Sequence, residues 1–197
     1  MSKSEKTKAF IIETVAPIFN KNGYSAMSLS KITEATGLTK GAIYGHFQNK
    51  EELAIDAFRY SVRRVLKDLN KEVSLGKRPI DKLLRIASFY ETYYQYNKEF
   101  GGCPILNIGV DSNNQNTGIA DLVRFYNHKI LNQFSLLIDT AKHANEIKKS
   151  INSLVLAKRF FYMIEGAVYM SHIMKDESYL IDVSETMKLI INQDLKL

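Results

Sequence analysis

The sequence predicts an all-α protein, with an N-terminal helix-turn-helix unit of three helices and a larger C-terminal helical domain. Three observations carry this. Residues Ser28 to Leu53 place two short helical runs around Gly37, with a third run following at once. Apolar residues along the rest of the chain recur at the three- and four-residue spacing of amphipathic helices. No segment shows the alternation of a half-buried strand, and there is no repeat or low-complexity tract.

The first helix is expected from about Glu5 to Asn22, with Ile12, Val15, Ala16 and Phe19 as its apolar stripe. Pro17 lies inside it and predicts a kink, because proline removes a backbone bond and crowds the carbonyl of Glu13. Gly23 closes this helix, and Tyr24 is expected to pack on the core of the next unit. Ser28 and Thr39 precede the two short runs as hydroxyl caps. Gly37 supplies the left-handed backbone that ends a helix. Ile32, Leu38, Ile43 and Phe47 face inward, whereas Lys40, Gly41, Tyr44 and Gly45 fall on the opposite side. The second helix is therefore able to enter a DNA major groove. Asn49 caps a fourth helix, with Glu52 at the capping-box position and Leu53, Ala57, Val62, Val65 and Leu69 as its stripe. Gly76 to Pro79 ends it. Further helices are expected at about Pro79–Tyr96, Pro104–Ser112, Ile119–Ala144, Ser153–Lys175 and Tyr179–Asp194, with a loop at Asn113, Asn114, Asn116 and Gly118. The domains read as 1–50 for the helix-turn-helix, 51–77 for the linking fourth helix and 78–197 for the remainder.

A chain of 197 residues is long enough to bury a full core. Its net charge of +6 is concentrated at the front, where residues 1 to 50 hold seven lysines against three glutamates. A basic front suits a phosphate backbone. No apolar run reaches the ~20 residues of a membrane span. The first residues lack the apolar centre of a signal peptide, and one cysteine makes no internal disulfide, so a cytoplasmic protein without a membrane partner is expected. No phosphate loop, nucleophile elbow or paired carboxylates point to an enzyme. His128, His143 and His172 lack metal-ligand spacing, and no cofactor or metal is expected.

The segment from about Phe10 to Phe58 resembles the TetR family of bacterial transcriptional repressors. The resemblance rests on Ser28 with Ile32, Gly37-Leu38-Thr39-Lys40-Gly41, Ile43-Tyr44, His46-Phe47 and Lys50-Glu51-Glu52-Leu53. Thr33 and Thr36 stand where alanine is usual, and Gly45 where a larger residue is common. The resemblance implies a homodimer on a double-stranded DNA operator, with residues 78–197 as a ligand-binding and dimerisation domain for a small-molecule effector. Side-chain chemistry picks out Ser28, Thr39, Lys40, Gly41, Ala42, Tyr44, Gly45, His46 and Lys50 as DNA-binding candidates. Lys40 can reach guanine acceptors or phosphate, and Lys50 can share a phosphate with the start of the fourth helix. Gly41 permits close approach, and Ala42 and Gly45 offer only methyl or backbone contacts, so part of the specificity falls to DNA shape.

The last two long helices carry wide apolar faces that either complete a core or, as the resemblance implies, form the dimer interface through Phe160, Ile164, Ala167, Val168, Met187, Ile190 and Ile191, with Gly166 and Ala167 allowing close approach. A twofold pair of recognition helices reads a palindrome, which one copy cannot. Tyr93, Tyr126 and Tyr162 are candidates for an effector pocket of mostly apolar character, although aromatics at helical spacing are commonly core. Cys103 precedes Pro104 as a helix cap, where a thiol ionises more readily, and Gly101 and Gly102 leave its approach open. With Asn107 it forms a Gly-Cys-x-x-x-Asn element similar to one in a TetR subgroup that includes the N-ethylmaleimide-responsive repressor. The other reading of Cys103 is a buried small hydrophobe. The functional expectation is a repressor released by a small-molecule or electrophile effector. An activator has the same sequence signature. The alternative is a helical small-molecule-binding protein with a vestigial DNA-binding domain.

Overall fold

The computed structural model describes residues 2–113 and 117–196. The expected loop residues Asn114 and Asn116 lie outside this range. Ten α-helices occupy the described residues: α1 Lys3–Asn22, α2 Leu29–Thr36, α3 Lys40–Tyr44, α4 Lys50–Ser74, α5 Pro79–Glu91, α6 Tyr93–Asn97, α7 Pro104–Ser112, α8 Thr117–His143, α9 Ser153–Met174 and α10 Ser178–Leu189. A 3-10 turn spans Lys98–Phe100, and a π-helical turn spans Ile190–Leu195.

Packing divides the chain into two compact units, and the division does not follow chain order. One holds the residues up to Val65 together with Glu99–Val123; the other holds Leu66–Lys98 and the chain from Arg124 onward. The first unit thus includes α7, which the sequence boundary at residue 78 assigns to the C-terminal domain. Asparagines hold it there. Asn20 Nδ2 on α1 donates to the carbonyls of Phe100 at 2.6 Å and Gly102 at 3.0 Å. Asn107 Nδ2 on α7 donates to the carbonyls of Asn20 at 3.1 Å and Gly101 at 2.7 Å. The Arg64 guanidinium lies 3.7 Å over the Phe100 ring. Buried polar groups held by hydrogen bonds fix one arrangement, because separating them leaves each unsatisfied.

In this first unit α1 passes through Pro17 as one continuous helix. Its buried side is Ile11, Val15, Ala16, Phe19 and Asn20, so Ile12 gives its expected place to Ile11 and is half-buried. Ser2 begins α1 with a reciprocal capping box to Glu5. Ile32, Ile43, Phe47, Leu53 and Phe58 close the core against α1. Lys8 is absorbed here. Its ammonium pairs with Asp56 at 3.2 Å and Glu52 at 3.5 Å and sits 4.8 Å over the Phe47 ring.

In the second unit α10 packs between α5 and α9. Glu91 on α5 accepts from Ser184 at 3.2 Å and from Lys188, both on α10. Leu83, Ala87, Phe160, Ile164, Val168, Leu180 and Met187 form the core. The helix expected over Pro79–Tyr96 is broken at Thr92, whose hydroxyl donates to the carbonyl of Phe89 at 3.3 Å. Such a side-chain bond competes with the helical ladder. The end of the chain returns to the α8–α9 loop, where Lys148 N–H donates to the Leu195 carbonyl at 2.8 Å.

Candidate nucleic-acid interface and effector cavity

The helix-turn-helix is built by its caps. Ser28 Oγ accepts from Lys31 N–H at 3.3 Å, and Thr39 Oγ1 accepts from Ala42 N–H at 3.2 Å. Gly37, at φ 66°, turns the chain between them. Asn49 Oδ1 accepts from Glu52 N–H at 2.9 Å, while the Glu52 carboxylate reaches back one residue further than a standard capping box, to Gln48 N–H at 2.7 Å. With Ile43 and Phe47 turned inward, the outward face of α3 presents Lys40, Gly41, Ala42, Tyr44 and Gly45, all exposed. Thr39 and Ser28 are exposed beside it and His46 is half-buried. A Cβ built on Gly41 would meet nothing within 4 Å. The fold itself therefore does not require glycine at that position.

The basic charge at the front is less available than its sum implies. Lys8 is held by carboxylates, Lys31 donates to the Ala26 carbonyl at 3.2 Å, and Lys21 lies 4.0 Å from Glu99. Lys50 is half-buried, with its ammonium 4.4 Å over the Tyr24 ring. Burial holds its pKa below the ordinary lysine value, opposed by the charge of Asp111. That placement differs from a lysine extended toward a phosphate at the start of α4. Lys40 extends along α3, 5.9 Å from the Tyr44 ring centre, and with Lys3 and Lys6 it makes no ion pair among the described residues.

A cavity of about 390 Å³ lies within the second unit. Four helices line it, each through one column of side chains: Leu66, Leu69 and Val73 from α4; Lys82, Ile86 and Tyr90 from α5; Ile130, Phe134 and Leu137 from α8; Phe161 and Ile164 from α9. Asn70, Gln133 and Leu136 stand exposed at its rim. Leu69, expected in the α4 core stripe, is a wall of this cavity.

The expected effector residues are not brought together there. Tyr93 is buried in an aromatic cluster with Phe89, Tyr90 and Tyr96, and its hydroxyl accepts from Asn97 Nδ2 at 2.9 Å. Tyr126 is buried against Phe125. Tyr162 is 61% exposed on the outer side of α9, beside a surface groove. Tyr90, within the same aromatic run, is the tyrosine that reaches the cavity. Asn107 is occupied with the carbonyls of Asn20 on α1 and Gly101. Cys103 is the residue before α7, as its sequence predicts, but it is only 8% exposed. The two glycines do not open an approach to it. A Cβ on Gly101 would lie 2.5 Å from Lys21 Cγ, so glycine there, at φ 81°, lets α1 press onto the loop. The open-thiol expectation is corrected accordingly.

The expected dimer residues are corrected too. Phe160, Ile164, Ala167, Val168, Met187 and Ile191 are buried within the chain itself, and Ile190 is half-buried. Phe160 packs on Phe134 of α8 and Ile164 lines the cavity, so the six buried residues serve the chain's own core, while Ile190 stays at the groove beside Tyr162. The opposite face of α9 carries Val155, Tyr162, Tyr169 and Ile173, exposed by 44%, 61%, 53% and 61%. Gly166 lies on the same face, and a Cβ there would meet nothing within 4 Å. Their spacing is the seven-residue stripe of a helix seam.

Among the described residues no helix is long and apolar enough to cross a membrane, and no cluster of histidine, cysteine and carboxylate side chains could hold a metal ion. Fold and exposed face together define a helix-turn-helix protein of the DNA-binding type, with a separate helical unit that contains an apolar cavity. Residues 11–57 match the family model for bacterial regulatory proteins of the tetR family, and residues 79–187 match the tetracyclin repressor-like C-terminal domain. The chain belongs to the TetR family of transcriptional regulators, and it is a regulator rather than an enzyme. It is 22% identical to the uncharacterized regulator YxaF of Bacillus subtilis, over 98% of this chain and 99% of that one. A TetR-family regulator from Cytophaga hutchinsonii superposes with a TM-score of 0.91 at 30% identity, covering 100% of this chain and 98% of the other. The reduced form of Escherichia coli NemR superposes at 0.78 over 93% and 96% of the two chains; at 17% identity it shares the fold alone.

Proposed function

We propose that this protein is a dimeric repressor that occupies a palindromic operator and leaves it when a small molecule enters the cavity of the second unit. The observation that carries this reading is the outward face of α3. Lys40, Gly41 and Tyr44 are exposed together, and a glycine that the fold does not require leaves room for a phosphate or base edge. Lys40 is the base-reading or phosphate-binding cation; Thr39, Ser28, Tyr44 and His46 are phosphate donors, with Ala42 and Gly45 as close neighbours of the DNA. Lys50 takes a lesser part, since its ammonium is engaged with Tyr24. Residues 1–50 act as the DNA-binding domain, α4 as the link, and the rest as the effector and dimerisation domain, in a cytoplasmic protein with no membrane partner.

Dimerisation runs through the exposed α9 stripe around Gly166. It is needed because two half-sites about 34 to 36 Å apart must be read together. Control runs through α4, whose first residues follow α3 and whose last two turns wall the cavity. A hundredfold loss of operator affinity requires the ligand to prefer the non-binding state by about 2.8 kcal/mol. A gel-shift with duplex DNA from the gene's own upstream region tests the reading, with in vitro transcription to give the sign of control. Retarded DNA that competes against unrelated duplex supports it. No sequence-dependent binding at moderate salt would leave a ligand-binding protein with a vestigial DNA domain.

A further inference from the structure

The cavity has one charged wall. Lys82 is its single ionisable lysine, arginine, aspartate or glutamate, set among apolar side chains from four helices. It is half-buried, and among the described residues its side chain has no ion pair or hydrogen bond. The acids that could neutralise it are committed elsewhere. Glu72 pairs with Arg85 at 3.0 Å, Asp81 pairs with Arg78 at 2.8 Å, and the Glu146 carboxylate accepts from Ile80 N–H at 2.7 Å. A half-buried lysine beside an apolar lining, with no counter-ion among the described residues, can take an anion from solution.

The shape agrees. Lys82 and Tyr90 lie on the same face of α5, eight residues apart, which is about 12 Å along the helix. Leu66 and Val73 lie on one column of α4, seven residues apart, or about 10 Å of rise. Helices α4 and α5 run antiparallel here: Gly76 at their junction lies against Lys82, and Tyr96 just beyond α5 donates to Asp68 at 2.7 Å. The cation therefore sits at the α4–α5 turn end, and the phenol of Tyr90 marks the other end. Between them the lining is apolar.

We propose that the effector is an elongated amphipathic carboxylate, with its carboxylate on the Lys82 ammonium and its hydrocarbon body along the α4 and α8 columns toward Tyr90. This rests on the reading of the cavity as the effector site. A ligand of this kind places its apolar surface against Leu66, Leu69 and Val73, the α4 side chains through which it would bias that helix.

Calorimetry on the full chain separates the class from the control function. Decanoate, decanol and decyltrimethylammonium share one chain and differ in head group. The wild-type protein should bind decanoate at least tenfold more tightly than decanol, and the ammonium compound least. Lys82→Met should bring decanoate and decanol within about twofold of each other while decanol affinity stays unchanged, which also shows that the cavity is intact; Lys82→Gln repeats the comparison with a polar neutral side chain. Equal binding of the acid and the alcohol, a preference that survives both variants, a preference for the ammonium compound, or no binding of any of the three would overturn the proposal. Lys82-dependent binding of decanoate that leaves operator occupancy unchanged would keep the carboxylate class and refute the cavity as the control site.

Discussion

Gly41→Ala separates what the fold needs from what DNA binding needs. Gly41 is the second residue of α3, exposed, and a Cβ there would meet nothing within 4 Å. Alanine in place of glycine stabilises a helix interior by up to about 1 kcal/mol and restricts the unfolded chain. Close to the N-terminus of a five-residue helix, a gain of about 0.5 kcal/mol is reasonable. On the proposed reading, the same methyl group lies where the DNA approaches α3. Overfilling a packed contact costs about 1 to 3 kcal/mol. At the low end, and with both protomers docked, the loss is about 2 kcal/mol, or roughly thirtyfold in Kd. Urea denaturation should therefore show an equal or higher midpoint, while fluorescence anisotropy at fixed salt shows operator binding weakened thirtyfold. The salt slope should not move, because no charge has changed. Wild-type affinity in a fully folded variant would refute the close approach of α3 to DNA at this residue. A lowered urea midpoint would show instead that the fold does require glycine there.

Lys40→Ala should weaken operator binding and reduce the salt slope by about one per protomer if it neutralises a phosphate; an unchanged slope with relaxed sequence preference would make it a base contact instead. Tyr162→Glu and Gly166→Leu should give folded monomers of about 22.5 kDa by light scattering, whereas Val168→Glu should unfold the chain, since it buries an unpaired charge in the core; dimers that survive the first two changes would place the interface elsewhere. Cys103 should react with N-ethylmaleimide in the native protein far more slowly than in urea, read by intact mass, and rapid native labelling would contradict its burial. Glu91 is held below the usual carboxylate range first by the hydrogen bond from Lys188, with burial opposing. Its contribution is therefore complete above the unfolded value of about 4.3 and lost as pH falls through the lower folded value. The urea midpoint should separate wild type from Glu91→Gln more at pH 7 than at pH 3, and a separation independent of pH would show that the carboxylate charge is not what matters.

Local chemistry made the helix-turn-helix legible. Caps at Ser28, Thr39 and Asn49, a left-handed Gly37 and the inward pair Ile43 and Phe47 depend on neighbours within a few residues, so their spacing in the chain is their spacing in space. The N-terminus of α7 was legible for the same reason, through Cys103 and Pro104. Thr92 was a less visible local signal: its hydroxyl breaks a helix whose apolar pattern runs on to Tyr96.

Other decisions belonged to tertiary structure. The sequence placed Phe160, Ile164 and Val168 on an apolar face of α9 but not what covers that face; the chain's own core took them, leaving Val155, Tyr162, Tyr169 and Ile173 outside with Gly166 among them. Seven lysines gave the front of the chain its charge, yet only partners brought from α4, α7 and the loops determine that Lys8 and Lys50 are engaged while Lys40 stays exposed. Gly101 read as an open approach to a thiol, and it is the place where Lys21 of α1 lies on the loop. Lys82 carried no signal at all, since an isolated lysine on an amphipathic helix is ordinary surface until four helices enclose it. Periodicity reports that a residue is apolar or charged and where it lies on its own helix; which neighbour covers it is set by contacts between segments far apart in the chain, and those form only when the whole core closes.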